Sequence, residues 1–260
     1  MRNLIVILLL VSGCAAASSQ SGQSGFRFGG TFIGAAITED GIIVASDSRS
    51  TFLDTEDRRM GYIDGMPKIF VGQASAVAVS GLTSIDKELF SSFIRRSDFL
   101  FTRTPEEILF GVLVWLPFRN SENVALLSAG FPQGQPTICA KPPMLPQDCT
   151  RYGYYTSKPA SAFRQWFGSL GRLPKPADAA AALKRAIQDS AAGDSSVGGP
   201  ISILHLRKNA APLWLENRPS DNGWATICDI VRAYRQGRAE VGFATSKADL
   251  DRYLNGACPR

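Results

Sequence analysis

The sequence predicts one α+β domain in which two antiparallel sheets carry helices on their outer faces. Three observations predict it. Segments with strand and helix patterning follow one another as strands, two helices, strands, two helices, strands. The chain has 260 residues, 45% of them apolar, enough for a single domain with a substantial core. Charged residues make up 20% and aromatics 10%, which excludes a disordered chain and a coiled coil.

Residues 31–45 (TFIGAAITEDGIIVA) read as two strands around Glu39-Asp40-Gly41, a strong hairpin signal. Residues 68–71 and 74–80 form a second strand pair around Gly72-Gln73. From Ser84 the period changes: Ile85, Leu89, Phe93 and Ile94 recur at helical spacing and predict a helix. Pro105 opens another, at a position where its missing N–H costs nothing, and Ile108, Val112 and Trp115 follow. Residues 124–129 return to strand, the Pro- and Gly-rich residues 132–147 read as loop, and a strand lies near 152–156. Residues 160–170 and 177–192 read as helices, 201–206 and 212–215 as strands. Beyond them, Ile227, Ile230, Val231 and Tyr234 keep helical spacing, and Ser246 with Asp249 marks a further helix start. Residues 218–260 are therefore expected as a short helical C-terminal appendage.

The N-terminus has the layout of an export signal. Met1-Arg2-Asn3 is a short basic start, and residues 4–11 (LIVILLLV) are apolar. That run is too short for a membrane-spanning helix and suits the core of a signal peptide. Two processing routes fit. Val11-Ser12-Gly13-Cys14 resembles a bacterial lipobox, which would make Cys14 a lipidated N-terminus and end the signal peptide at residue 14; Ala15-Ala16-Ala17 offers an ordinary signal-peptidase site. Residues 15–30 begin small and polar (AAASSQSGQSG) and are expected as a flexible tether or propeptide. Setting Cys14 aside leaves Cys139, Cys149, Cys228 and Cys258; an oxidising compartment permits two disulfides, most simply neighbour to neighbour. The expected location is the periplasm or cell envelope, with a membrane tether through Cys14 before processing.

Composition also excludes chemistries. Net charge is 28 − 23 = +5 and evenly spread, which gives no case for nucleic acid. The single histidine, His205, leaves no His-based metal site, no cofactor is implied, and its alternation along a strand marks it as a structural residue.

Residues 30–49 (GTFIGAAITEDGIIVASDSR) resemble the opening of a proteasome β subunit, a family of the N-terminal-nucleophile hydrolases. In that family a propeptide ends in Gly, a catalytic Thr follows, and an Asp-Ser/Thr-Arg segment comes at the spacing seen here from Thr31 to Asp47-Ser48-Arg49. Met66-Pro67-Lys68-Ile69 is similar to the strand bearing the catalytic Lys, after about five extra residues in the loop 53–65. Val79-Ser80-Gly81 is similar to the segment whose Gly N–H lines the oxyanion hole. Arg185-Ala186-Ile187, then Asp194 and Gly198-Gly199, repeat the helix, Asp and Gly-Gly spacing. Val197 stands where the family usually has Ser, and the Ser-Gly-Ser turn has only Ser157 and Ser161 as its nearest counterparts.

The resemblance implies a four-layer αββα sandwich over residues 31–217. It also implies a self-processing threonine hydrolase that cuts Gly30–Thr31 and then peptide or other amide substrates. Thr31 would be the nucleophile, with a freed α-amine of pKa about 7.7–8.0 able to act as base. Lys68 would be a cation beside the hydroxyl, Asp47 its partner, Gly81 the oxyanion donor and Asp194 a support. Arg49 would buttress the strand. The alternative is a catalytically inactive sandwich serving as a binding or structural module. A homo-oligomer is compatible with either.

Overall fold

A computed structural model describes residues 27–54, 56–82, 84–85, 87–97, 102–116, 124–220 and 222–259. The expected signal peptide, Cys14 and residues 15–26 of the expected tether lie outside the described residues.

The expected hairpin forms as β2 (Ile33–Thr38) and β3 (Gly41–Ser46). Its turn needs Gly41: φ is +141°, and a Cβ there would lie 2.1 Å from the Leu206 carbonyl oxygen. With β13 (Tyr154–Thr156), β14 (Ser202–Leu206) and β15 (Leu213–Glu216) it makes a five-stranded sheet in the order β13-β2-β3-β14-β15. The second sheet runs β12 (Asp148–Thr150), β11 (Thr137–Lys141), β10 (Val124–Gly130), β7 (Ala76–Leu82), β1 (Arg27–Gly30), β4 (Ser50–Leu53), β5 (Arg59–Ile63) and β16 (Gly242–Phe243). A short strand, β6 (Ile69–Val71), shares one edge of β7 with β1. All pairings in both sheets are antiparallel.

Period-two alternation assigns each strand's faces. Ile33, Ile37, Ile42 and Val44 of one sheet meet Ala76, Ala78, Ala125 and Leu127 of the other in a buried cluster between them. The opposite side chains, Ile43 and Ala45, pack under α4 (Pro176–Gly193) through Ala179, Leu183 and Ile187, with Phe163 of α3 (Ser161–Gly168) alongside. Val77, Val79, Val124 and Leu126 pack under α1 (Phe90–Arg96) and α2 (Pro105–Trp115). Thus β2 and β3 are buried on both faces, which explains their nearly continuous apolar sequence. Thr104 and Glu107 form a capping box ahead of α2, with Pro105 in its first turn.

Five expectations change. The helix expected from Ser84 starts only at Phe90, because Ser84–Ile85 (β8) and Glu88–Leu89 (β9) form a small hairpin. The C-terminal segment pairs onto it, Leu89 N–H to the Ala225 carbonyl and Ile227 N–H to that of Lys87, so tertiary pairing overrides the helical period. The loop 132–147 contains β11, and the extra residues after 53 close a β4–β5 hairpin. The last four residues assigned to the tether are strand β1, with Phe28 fully buried.

Residues 218–260 are integrated into the domain rather than appended to it. β16 extends the larger sheet, and α5 (Ile227–Arg235) and α6 (Lys247–Ala257) supply Ile227, Ile230, Leu250 and Leu254 to a cluster with Phe28, Phe52 and Ile63. Disulfides join Cys139 to Cys149 and Cys228 to Cys258, the pairing expected from neighbouring cysteines. No helix among the described residues is long and apolar enough to cross a membrane.

Candidate active site

The site gathers at one end of the two sheets, where the chain passes from β1 to β2. β1 lies in a slot between two strands: Phe28 and Gly29 are opposite Phe52 and Thr51 of β4, and Gly30 is opposite Gly81 of β7. The slot then ends abruptly. Gly30 has φ +98°, and Thr31, a β-branched residue, has φ +135°. Such a backbone costs a residue like Thr on the order of 1–3 kcal/mol. The strain therefore sits on the Thr31 backbone, directly after the Gly30–Thr31 bond. A Cβ at Gly30 would also lie 3.2 Å from both the Ser196 carbonyl oxygen and Thr51 Oγ1.

Thr31 is fully buried, and its hydroxyl donates to the Arg49 carbonyl at 3.0 Å. Ser80 Oγ donates to the Thr31 carbonyl at 2.8 Å and fixes the next peptide plane. Asp47, also fully buried, accepts from Phe32 N–H at 2.9 Å and from Gly198 N–H at 2.7 Å. Burial pushes the Asp47 carboxyl up, while the Lys68 charge, these two N–H groups and the Thr31 hydroxyl pull the other way. Lys68 is 1% exposed and donates to Ser50 Oγ. Desolvation lowers its amine from 10.5 to about 8, against the attraction of Asp47. Asp47 thus interacts with both Thr31 and Lys68, residues far apart in sequence that are all buried.

Asp194 caps the C-terminal end of α4, a poor place for a carboxylate beside the negative end of the helix dipole. Two cations offset this: Lys158 Nζ at 2.6 Å and Arg59 Nη2 at 3.0 Å. Ser196 adds its N–H and hydroxyl at 2.9 and 2.7 Å. Partial burial alone raises Asp194, but the bonds from Lys158 and Ser196 outweigh it and hold the carboxyl well below its usual range. The wall is continuous with the cleft, since Ser196 is also the neighbour of Gly30.

Gly198-Gly199 borders the site through the Gly198 N–H bond to Asp47. The Gly198 carbonyl accepts from Ser48 N–H and Arg49 N–H, and Arg49 forms a two-point ion pair with Asp64 at 2.8 and 2.9 Å. A Cβ at Gly198 would meet the Arg49 guanidinium at 2.7 Å, so glycine is what lets Arg49 cross. Arg49 is a buttress.

The structure brings Gly30, Thr31, Asp47, Lys68 and Gly81 together and sets Asp194 beside them. Of the two serines, Ser157 reaches the site: its Oγ accepts from Ile33 N–H at 3.0 Å, and its N–H donates to the Ile33 carbonyl at 2.9 Å. Ser161 is exposed at the start of α3. Val197 is buried in the helix-side core, and the hydroxyl next to Asp194 comes from Ser196 instead. Sequence reasoning missed Lys158, Arg59 and Ser196, and only Ser196, adjacent to Val197, carried a signal that could have found it. His205 lies at the other end of its strand, with Nε2 3.1 Å from the Asp40 carbonyl. Neither the protein-family models nor the curated proteins contain a match to this chain.

Proposed function

We propose that the protein is an exported, self-processing threonine hydrolase of the proteasome β-like, N-terminal-nucleophile kind, cutting peptide or other amide bonds. One observation carries this reading: a buried Thr31 with a strained positive φ, next to Asp47 and its charge partner Lys68, directly follows a strand lying in a cleft between β4 and β7. A core strand has no need of a positive-φ threonine. A bond that is to be broken gains from one.

In the precursor the Thr31 nitrogen is an amide and cannot act as a base. Lys68, with its amine lowered to about 8, is the buried group able to take the Oγ proton. Thr31 Oγ then attacks the Gly30 carbonyl carbon, and Gly81, opposite Gly30, offers its N–H to the developing oxyanion. The C–N bond breaks, the nitrogen takes the proton and becomes the Thr31 α-amine, and Gly30 is left as an ester on Oγ. Water hydrolyses that ester and frees the leader with a C-terminal carboxylate. The new amine can serve as base in later turnovers on substrates that enter the vacated cleft.

The two disulfides fit an oxidising compartment, and the lipobox-like Cys14 fits a precursor held at the membrane until the cut releases it. Intact mass tests the reading: the purified wild-type chain should begin at Thr31. A wild-type chain that keeps residues before Thr31 through prolonged incubation at pH 8 would favour the inactive sandwich.

A further inference from the structure

The leader strand reports what the cleft is built to hold. Phe28 is fully buried, its ring centroid 4.9 Å from that of Phe52. It sits in a cluster that includes Phe52, Ile63, Leu89, Ile227, Ile230 and Leu254. Three of those six come from β4, β5 and β9, and the other three from the C-terminal helices α5 and α6. These helices are anchored where they meet the slot. Tyr253 OH donates to the Leu53 carbonyl at 2.5 Å, Lys87 Nζ to the Ala257 carbonyl at 2.7 Å, and the Cys228–Cys258 disulfide joins the two.

When Gly30–Thr31 is cut, β1 loses its covalent link to the domain and is held only by pairing and by Phe28. Its departure bares facing edges of β4 and β7 and the apolar surface that Phe28 covered, in a wall cross-linked by Cys228–Cys258. Backbone pairing in such a slot tolerates most sequences, so selectivity falls to the side-chain recesses. At Gly30 there is almost none, because the Ser196 carbonyl and Thr51 Oγ1 stand 3.2 Å from where a Cβ would be.

We infer that the mature protein selects extended peptides with an aromatic side chain three residues before the cut and glycine immediately before it, the C-terminal helices forming the aromatic recess. The inference rests on the hydrolase reading and adds a substrate class to it. Both Phe28 and its recess are apolar, so charge plays no part in the choice.

The test uses self-processed wild-type protein and the probe acetyl-Arg-Phe-Gly-Gly-aminomethylcoumarin, with Ala replacing Phe in a second probe and Phe replacing the last Gly in a third. Burial of a phenyl side chain predicts kcat/KM about tenfold to a hundredfold higher for the first probe than the second. The third should be cleaved more slowly than the first. Equal kcat/KM for the first two, or cleavage of none by a chain that has matured to Thr31, overturns the inference and leaves the hydrolase reading standing. A chain that neither matures nor cleaves any probe defeats the hydrolase reading, and the substrate class falls with it. Self-cleavage of the full chain gives a second readout. Phe28→Ala should slow maturation about tenfold or more, and Phe28→Leu, which refills most of the recess, should restore most of the rate. Folded Phe28→Ala protein maturing at the wild-type rate would also overturn it.

Discussion

Lys68 offers the sharpest test of the proposed chemistry, because its amine is lowered by burial from 10.5 to about 8. If its neutral form takes the Thr31 proton, the self-cleavage rate should follow the fraction of neutral amine. That fraction is about one half at pH 8, about one tenth at pH 7 and about one hundredth at pH 6. The rate should therefore rise nearly tenfold per unit from pH 6 to pH 7.5 and level off above about pH 8.5. The assay synthesises the precursor at pH 6, jumps it to each test pH, quenches with acid and reads intact mass against time. Lys68→Arg should leave maturation at background throughout, since a guanidinium does not deprotonate in this range. The same shift bears on stability. Between about pH 8 and 10.5 the unfolded Lys68 binds a proton that the folded one has released, so its contribution to stability rises with pH. Lowering the amine from 10.5 to about 8 corresponds to about 3 kcal/mol. Comparing Thr31→Ala with Thr31→Ala/Lys68→Met, neither of which should mature on the proposed mechanism, isolates that rise from the ionisation of other groups. A flat rate between pH 6 and 8, or maturation of Lys68→Arg with the wild-type profile, would refute the reasoning.

Thr31→Ala should abolish maturation and amide hydrolysis while leaving circular dichroism unchanged, and intact mass should show the leader still attached. If Cys14 is lipidated, that variant should fractionate with membranes while wild-type protein is soluble; identical fractionation would show that anchoring or release is missing. Ser157→Ala removes the acceptor for Ile33 N–H and should cost about 1 kcal/mol in denaturant unfolding, whereas Ser161→Ala, exposed on α3, should change it by less than about 0.5 kcal/mol. Removing Cys228–Cys258 by paired Ser substitution should cost about 3–4 kcal/mol, and removing Cys139–Cys149 about 2.5–3 kcal/mol, because sequence separations of 30 and 10 restrain the unfolded chain unequally. Equal losses would contradict the loop-entropy account.

Much of this protein was legible because its signals are local. The Glu39-Asp40-Gly41 turn fixes the β2–β3 register, and that register carries Thr31 to within reach of Asp47. Neighbouring cysteines 10 residues apart fall across one β11–β12 pair, so their bond follows from the hairpin itself. Tertiary structure decided what depends on which segments become neighbours. Leu89 fits a helical stripe by spacing, yet its N–H is taken by Ala225 from the far end of the chain, and the turn before α1 becomes a hairpin instead. Nothing in the sequence sets Lys158 and Arg59 apart from the other cations, and only the meeting of β5, α4 and the β13–α3 turn at Asp194 gives them a shared carboxylate. Phe28 closes a polar stretch that predicts a free tether. It is ordered because β4 and β7 diverge enough to admit a strand, and because α5 and α6 cover its ring. Spacing determines periodicity and register along a chain; sheet order and helix packing determine which side chains from distant segments share one dry pocket.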